Sequence, residues 1–343
     1  MKSILIYTMT SGLGDYIIMG DLVRKIEALL PDVRCLLIHR NSSHTNLWKY
    51  DPVDERFFNV YKPLEVFKFI LILKKFKKRG YTIFGLQMVP GSIQGFLLYK
   101  MLKLVNVVDF IVDFNLINAD IITPPRGEYI LDMHLNQLSD IFKIDIPPDF
   151  YNLRLPIIID RLDQQPKKEE VKTTCKRRIG IHPWSRRGHV ESFVWPFENW
   201  RNLFENLLRT KQNEIIVFGK DPAFNKFKDY IQRSLKSQML SFKFLYSKNV
   251  EELINTISNL DLLISVNTSV VHIGYALRKK MIILCGPSLK YWTPKNDKID
   301  IVKDNKADLP GSDKWVDDSR FPTISRIDVD DVLNTKIVKD FLL

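Results

Sequence analysis

The sequence predicts an α/β protein made of two doubly wound halves, each built around a parallel sheet. The chain has 343 residues, which at about 100–200 residues per domain is enough for two domains. Short β-branched runs alternate with longer stretches of helical periodicity, which is the pattern of βαβ units. From about Pro147 to Cys175 a proline-rich and polar stretch interrupts this pattern, which then begins again. We therefore expect an exposed connection between two domains of similar length.

The first half begins with a strand at Ile4–Tyr7. A glycine-containing turn follows, and then a helix whose apolar residues recur at helical spacing until Pro31 stops it. The later elements predicted in this half are strands at Cys35–His39, Thr82–Leu86 and Val107–Val112 and a helix at Ile93–Leu104. Together these elements make a first domain over residues 1–155.

The second half repeats the alternation of strands and helices. The predicted strands are Arg178–His182, Glu214–Phe218, Phe242–Leu245, Leu262–Val266 and Met281–Cys285, and the predicted helices are Phe197–Leu208, Ala223–Leu235, Val250–Ile257 and Ser269–Arg278. They make a second domain over residues 176–324, and a C-terminal helix at about 325–343 could complete the first domain. Ligands of open α/β sheets bind beyond the carboxyl ends of the strands. Two such domains facing each other would enclose a cleft.

The composition is ordinary for a soluble chain, with 45% hydrophobic and 27% charged residues. Cys35, Cys175 and Cys285 show no C-x-x-C spacing, which argues against a zinc site and against a secreted disulfide framework. No apolar stretch reaches the ~18 residues needed to span a bilayer, and the N-terminus has no cleavage site. We therefore expect a cytoplasmic protein. The formal net charge of +11 favours an anionic partner, which could be a phosphorylated ligand, nucleic acid or an acidic membrane surface.

The turn after the first strand contains Gly12 and Gly14 and opens a helix, so its backbone N–H groups could receive an anion. It is not a dinucleotide fingerprint, because Ile17 stands where the third glycine is needed, and no lysine follows as in a P-loop. Asp15 lies at the start of the helix, at the carboxyl end of the strand. There it could take a proton from an attacking hydroxyl, or it could only be the N-cap of the helix.

Two loops of the second half carry cations directly after strands. Arg186 and Arg187 could grip a diphosphate and neutralise the charge of a departing nucleotide, or they could simply be solvated. Lys220 or Asp221 could meet a ribose or a phosphate, and a capping role is an equal alternative.

A third segment ends a buried strand and begins a helix with Asn267, Thr268 and Ser269, followed one turn later by His272. A helix N-terminus offers unpaired N–H donors and a partial positive charge to a phosphate. The hydroxyls could instead only cap the helix, and a lone histidine in a helix is more often structural.

Taken in order, these segments resemble family 9 glycosyltransferases, the lipopolysaccharide heptosyltransferases. The resemblance spans about residues 1–300 and is carried by Gly14-Asp15, Gly180-Ile-His-Pro183, Trp195-Pro196, Val217-Phe-Gly219, Asn267-Thr-Ser-Val-Val-His272, Leu284-Cys-Gly-Pro-Ser288 and Trp292. It implies a GT-B fold, in which the first of two Rossmann-like domains mainly holds the acceptor and the second holds the nucleotide-sugar. It also implies sugar transfer with inversion, without metal or cofactor. The donor of the family is typically ADP-heptose, and the acceptor is a lipid-linked core oligosaccharide at the inner face of the cytoplasmic membrane.

The resemblance assigns roles to particular residues. Asp15 matches the general base proposed for the family, with Gly12 and Gly14 beside it on the acceptor side. Thr268 and His272 match the motif that binds the donor diphosphate, and we include Asn267, Ser269 and Lys220 among the donor-binding residues.

The sequence also departs from the family in ways that leave the donor open. The family usually has Asp where this chain has Asn267, and a lysine that meets the donor phosphates is absent before Trp195-Pro196. We expect Arg186 or Arg187 to supply the missing charge. The His182-x-x-Ser-Arg-Arg187 segment is similar to the basic motif of fucosyltransferases that use GDP-fucose, so a guanine nucleotide is an alternative to adenine.

Residues 65–79 combine six cations and one anion with a dense apolar face. A helix of this kind could lie on an anionic bilayer, or it could face the core with a solvated basic side. Nucleic-acid binding would also use the charge, but no recognised module is present, and we predict no nucleic-acid partner. A non-catalytic scaffold that retains nucleotide-sugar binding is the competing interpretation of the whole chain.

Overall fold

The computed structural model describes most of the chain. The described residues are 2–8, 12–39, 57–59, 63–87, 93–113, 119–123, 125–155, 176–185, 194–210, 212–219, 223–235, 241–286, 292–304 and 323–342. The chain divides into two compact units, Met1–Ile158 and Ile159–Leu343. Of the predicted connection from Pro147 to Cys175, residues 147–155 are described and pack in the first unit, where Leu153 and Leu155 are buried, and residues 156–175 lie outside the described part.

The first unit is built around a six-stranded sheet, as far as its residues are described, in which all neighbouring strands are parallel. The elements in chain order are β1 Ser3–Thr8, α1 Leu13–Leu29, β2 Val33–His39, β3 Phe57–Asn59, α2 Pro63–Lys78, β4 Thr82–Gln87, α3 Ile93–Leu104, β5 Phe110–Asp113, β6 Ile121–Ile122 and α4 Ile130–Phe142. The strands are ordered β3-β2-β1-β4-β5-β6. The chain therefore crosses over between β1 and β4, where the strand order reverses.

Helices cover both faces of this sheet. Successive side chains of a strand point to opposite faces, so the buried strands place apolar side chains on both. On one face, Ile4 and Ile6 of β1 belong to a core that includes Phe69 and Leu73 of α2 and Tyr99 of α3. On the other face, the ring of Tyr7 meets the edge of His134 in α4 at 5.5 Å, and α4 packs on α1. The layer order is thus α2 and α3, sheet, α1 and α4.

The second unit has the same topology. In the described part its elements are β7 Arg177–His182, α5 Phe197–Leu207, β8 Asn213–Gly219, α6 Ala223–Ser234, β9 Phe242–Tyr246, α7 Val250–Ser258, β10 Leu262–Val266, α8 Ser269–Ala276, β11 Lys280–Cys285, β12 Ile299–Lys303, α9 Val329–Leu333 and α10 Lys336–Leu342. The parallel strands are ordered β12-β11-β10-β7-β8-β9, so the strand order reverses between β7 and β10. The prediction of an α/β fold with two Rossmann-like halves is confirmed.

The C-terminal residues pack in the second unit, which corrects the expectation that they could complete the first. The Trp195 indole donates to the carbonyl of Ile327 at 2.7 Å, and the Ile337 N–H donates to Asp300 Oδ2 at 2.8 Å. The Arg177 guanidinium donates to the carbonyl of Phe341 and lies 5.1 Å from the centre of its ring. Because apolar side chains of α9 and α10 belong to the core of the second unit, these helices are part of its fold.

Two predicted boundaries differ from the structure because the backbone turns before them. Val107 and Val108 were expected in a strand, but the Val107 N–H donates back to Leu102 in α3 and Asn106 has a φ of 56°. The strand therefore starts only at Phe110. Similarly, α8 ends before Arg278, whose φ of 55° breaks the helical path.

Candidate active site

Asp15 lies in the first turn of α1, directly beyond the carboxyl end of β1 and beside the crossover between β1 and β4. The N-cap of the helix is Gly12, and Asp15 is the third residue of the helix. The Gly12 N–H donates to Asp15 Oδ2 at 3.1 Å. The interpretation of Asp15 as the N-cap itself is therefore wrong, although its carboxylate does satisfy the N–H of the N-cap residue.

Burial gives this carboxyl group an unusual affinity for protons. Asp15 is only 6% exposed, and burial raises its pKa from an ordinary value of 3.8 to about 7, against the opposing effect of the Gly12 N–H. Water stabilises the charged form of a carboxyl group, and its removal favours the neutral form. At neutral pH the group therefore divides between its two forms and can accept a proton.

The two glycines of this turn lie on either side of the start of α1. A Cβ atom at Gly12 would lie 3.0 Å from Asp15 Oδ2, which is tighter than almost all real contacts of that kind. Gly12 thus leaves the room that the carboxylate occupies. Gly14 is the second residue of the helix and is buried.

Thr268 and Ser269 lie beyond β10, at the crossover of the second sheet. Ser269 is the first residue of α8 and Thr268 is its N-cap, but the Thr268 side chain makes no capping hydrogen bond. Its Oγ1 atom is buried and has no hydrogen-bond partner. The interpretation in which Thr268 only caps the helix is therefore wrong. An unpartnered hydroxyl beside the first N–H groups of a helix suits an anionic group.

Asn267 holds the β10–α8 turn in place. Its Nδ2 donates to Thr293 Oγ1 at 2.8 Å and its backbone N–H donates to the carbonyl of Leu284 at 3.0 Å. These contacts tie the turn to β11 and to the segment after it. Thr293 was not singled out from the sequence, because nothing in a lone threonine before a proline indicates this contact. A role of Asn267 in donor binding stays a prediction.

His272 is buried one turn into α8, with its ring 6.3 Å from that of Trp292. Burial lowers its pKa from 6.5 to about 4, so the imidazole is neutral at physiological pH. Burial also lowers the pKa of His182, at the end of β7, to about 3. Without ligand, neither histidine brings positive charge to this edge of the second sheet.

Trp184 is a residue of this edge that the sequence analysis did not single out. It follows β7, the strand beside β10, and its indole Nε1 is buried without a hydrogen-bond partner. A Cβ atom at Gly219 would lie 2.3 Å from that nitrogen, and Gly219 has a φ of 149°. Glycine is therefore required at the end of β8, and the only sequence signal for this packing is a glycine directly after a strand.

Three predicted cations cannot be placed. Arg186, Arg187 and Lys220 lie outside the described residues, so their contact with a donor stays a prediction. Among the described side chains, no group of three His, Cys, Asp or Glu residues is arranged to hold a metal ion. Whether the reaction needs a metal is a separate question, and metal independence also stays a prediction.

Both units thus follow the order of a doubly wound fold, with polar groups at the carboxyl ends of the crossover strands, where such folds bind ligands. Comparison with solved structures gives the same class over almost the whole chain. The structure of the glycosyl transferase family 9 from Veillonella parvula DSM 2008 is 15% identical, has a TM-score of 0.68, and covers 99% of this chain and 97% of its own. The E. coli ADP-heptose lps heptosyltransferase II is 14% identical with a TM-score of 0.62, covering 99% and 98%.

A third solved structure with the same fold is E. coli heptosyltransferase WaaC with ADP-2-deoxy-2-fluoro heptose. It is 13% identical and has a TM-score of 0.60, with coverage of 99% and 98%. A search of curated proteins finds no match. The shared fold is that of a GT-B glycosyltransferase.

A sequence model of one family also matches part of the chain. The model of glycosyltransferase family 9 (heptosyltransferase) matches residues 151–314, which include most of the second unit. Over these residues the chain is similar to glycosyltransferase family 9, in agreement with the resemblance identified from the motifs, and together with the shared fold this identifies it as a glycosyltransferase.

Proposed function

We propose that this glycosyltransferase moves heptose from ADP-heptose to a saccharide acceptor, with inversion at the anomeric carbon and without a metal ion. The observation that carries the chemical step is the buried Asp15 carboxyl, whose pKa of about 7 suits a general base. The heptose and the adenine nucleotide are supported by the E. coli relatives, one described as an ADP-heptose lps heptosyltransferase and one with an ADP-heptose analogue.

In this proposal Asp15 takes the proton from an acceptor hydroxyl. The oxygen attacks the anomeric carbon, the bond from that carbon to the diphosphate oxygen breaks, and the nucleoside diphosphate leaves with the electron pair. A single displacement of this kind inverts the configuration. Since charge gathers on the diphosphate in the transition state, donors that are already oriented toward it lower the barrier.

The second unit would bind the leaving group. The Thr268 hydroxyl and the first N–H groups of α8 are the described donors that suit a diphosphate, and Arg186, Arg187 and Lys220 would add positive charge. His272, being neutral, would contribute a hydrogen bond rather than a charge. We propose a lipid-linked or oligosaccharide acceptor of lipopolysaccharide or a related surface glycan, and a reaction at the cytoplasmic side of the membrane.

Binding and turnover can be tested separately. The nucleotide is identified by calorimetry and thermal shift with ADP, GDP and UDP, because the stabilisation by a ligand at fixed concentration increases as its Kd decreases. ADP should bind most tightly, and a preference for GDP would contradict the adenine assignment in favour of the GDP-fucose alternative.

Transfer is then measured with ADP-heptose and a heptose-free core oligosaccharide, with and without EDTA, and the anomeric configuration of the product is read by NMR. An inverted product formed at the same rate in EDTA is expected. Donor binding without transfer or donor hydrolysis would instead support the non-catalytic scaffold.

A further inference from the structure

In the part of α3 whose side chains are described, residues 97–104, the solvent side is largely apolar. Leu97, Met101 and Leu104 are 56%, 65% and 86% exposed, and spacings of four and three residues place them on one stripe of the helix. The opposite side of the same helix, with Tyr99 and Leu102, is buried on the sheet. Water therefore meets a row of large apolar side chains where a surface helix would normally present polar ones.

The neighbouring helix α2 adds a second exposed stripe. At its start this stripe is mainly apolar, with Leu64, Phe67 at 59% exposure, and Leu71, and it includes one exposed lysine, Lys68. Further along the same side, the exposed residues are the cations Lys74, Lys75, Lys78 and Arg79. The stripe thus changes from apolar to basic along the helix.

Both stripes belong to one surface. Phe69 and Leu73 of α2 and Tyr99 and Leu102 of α3 all pack into the same core on one face of the first sheet. The outer sides of the two helices therefore point away from that sheet face together. We call this surface the α2–α3 face; it consists of Leu64, Phe67, Leu71, Leu97, Met101, Leu104 and the cations at 74, 75, 78 and 79.

We propose that the α2–α3 face docks on the surface of an anionic lipid bilayer. Its apolar side chains would enter the boundary between headgroups and acyl chains, and its cations would lie among the lipid phosphates. The apolar side chains of α3 are more exposed than those of α2, and α3 lies outside the basic segment, residues 65–79, recognised in the sequence. No helix in the described ranges is long and apolar enough to cross a membrane, so the contact would be peripheral.

Charge distinguishes this partner from a second copy of the chain. A two-fold dimer brings the same patch of both copies together, so the four cations at 74–79 would face one another. Protein interfaces are also depleted in lysine, whereas an anionic lipid surface attracts it. Two further lysines of these helices, Lys77 and Lys103, are ion-paired with Asp109 and Asp120 within the unit, and the argument does not depend on them.

The purpose of the contact rests on the proposed function, because an enzyme with a lipid-linked acceptor must work at a membrane. The contact itself is tested without substrates. Full-length protein is mixed with vesicles of phosphatidylcholine alone, or of phosphatidylcholine and phosphatidylglycerol in equal parts, and the bound fraction is measured by flotation. We expect binding to the anionic vesicles, weakened by salt.

Two variants separate the apolar and the charged contributions. Met101→Gln with Leu104→Gln should lower the partition coefficient by about tenfold or more, since two apolar side chains no longer leave water. Its matched control is Leu245→Gln with Tyr246→Gln, two exposed apolar residues of β9 in the second unit, which should bind as the wild type does.

The charged contribution is tested by replacing Lys74, Lys75 and Lys78 with Gln. At about fivefold per cation, this variant should bind roughly a hundredfold more weakly at low salt. Replacing the exposed Lys226, Lys248 and Lys298 of the second unit with Gln is the control for net charge alone. An equal loss in this control would contradict a localised surface.

The proposal is overturned if the wild type does not bind anionic vesicles, or if the Met101 and Leu104 variant binds them unchanged. It is also overturned if light scattering shows a dimer that this variant dissociates, because a second copy would then be the occupant. ADP affinity, measured on the same variants, should stay unchanged and reports whether they fold. Since vesicle binding and ADP binding are separate measurements, failure of one is distinguishable from failure of the other.

Discussion

At the scale of single residues, Asp15 combines a structural contact with the chemistry proposed for it. The hydrogen bond from the Gly12 N–H fixes one carboxylate oxygen, and burial of the group raises its pKa against the opposing effect of that bond. A helix-capping carboxylate at the surface would keep an ordinary pKa and be a weaker base. Burial is therefore the property that distinguishes the proposed base from an ordinary cap.

Replacing Asp15 with Asn keeps the shape and the acceptor for the Gly12 N–H but removes the base. We expect the transfer rate to fall by roughly 10²–10⁴-fold while donor affinity stays unchanged. Steady-state kinetics and calorimetry measure the two effects. Asp32→Asn, an exposed carboxylate of the same unit, is the control and should keep its rate. Full activity in the Asp15 variant would reject the assignment.

The pKa of Asp15 also predicts two dependences on pH. In the wild type, kcat/KM should increase with pH as the carboxylate forms, and the midpoint of that increase should lie near pH 7.

Because the folded state holds the Asp15 proton more tightly than the unfolded state does, the contribution of Asp15 to stability falls between about pH 4 and pH 7. Asp15→Asn removes that loss, so its stability relative to the wild type should grow by on the order of 3 kcal/mol between about pH 5 and about pH 8. Urea unfolding at both pH values measures this, and a constant difference would contradict the raised pKa.

Replacing Thr268 should weaken nucleotide binding without lowering the stability of the fold. Thr268→Val removes a buried hydroxyl that has no partner, so the fold loses no hydrogen bond. Nucleotide affinity should fall by about fivefold to tenfold if the hydroxyl contacts the diphosphate. Thr256→Val is the control, since that hydroxyl donates to Glu252 in α7. Unchanged affinity for ADP would remove Thr268 from the donor site.

At the scale of elements, α1 supports both the proposed base and the segment that leaves the first unit. Asp21 and Lys25, both buried, form an ion pair of 2.5 Å about two and three turns along α1 from Asp15. Lys25 also donates to the carbonyl of Asn152 at 2.7 Å, and Asp21 accepts the Arg154 N–H at 3.0 Å. Hydrogen bonds therefore connect residues 152–154 to α1, the same helix that positions the Asp15 carboxylate.

Lys25→Met should destabilise the chain by about 3 kcal/mol, because the buried Asp21 charge loses its closer cation and keeps only Arg24, at 3.6 Å. Adding Asp21→Asn should recover much of that loss, since no uncompensated charge remains. Lys77→Met breaks a half-exposed pair of the same unit and should cost about 1 kcal/mol or less. Chemical unfolding measures all three. A loss for Lys25→Met no larger than that for Lys77→Met would contradict a buried pair.

The elements also show what sequence patterns can and cannot predict. Buried parallel strands such as Leu262–Val266 are predicted to the residue, because an apolar run bounded by turn residues admits few alternatives. Val107 and Val108 have the same composition but close the end of α3, and only their hydrogen bonds distinguish the two cases. Helix α4 was not singled out, although its apolar residues follow helical spacing, because buried polar residues such as His134 interrupt the pattern.

At the scale of the whole molecule, the alternation of strands and helices was enough to predict the class of fold, and the order of the motifs carried the resemblance to family 9 glycosyltransferases. The candidate site was predictable only where a motif follows a strand, as for Asp15 and Thr268. Contacts between segments far apart in sequence were not predictable. The Thr293–Asn267 hydrogen bond and the packing of Trp184 on Gly219 depend on which strands become neighbours. The alternative in which a C-terminal helix completes the first domain was wrong for the same reason.

The position of those last helices bears on how the chain folds during synthesis. The first unit is contiguous, so it can fold while the rest of the polypeptide is still being translated. The core of the second unit includes Ile327, Val338 and Phe341, which emerge from the ribosome after the rest of that core. Until they arrive, the hydrophobic surface that they cover stays open to chaperones and to aggregation. An expression truncation before residue 323 would make that vulnerable intermediate permanent.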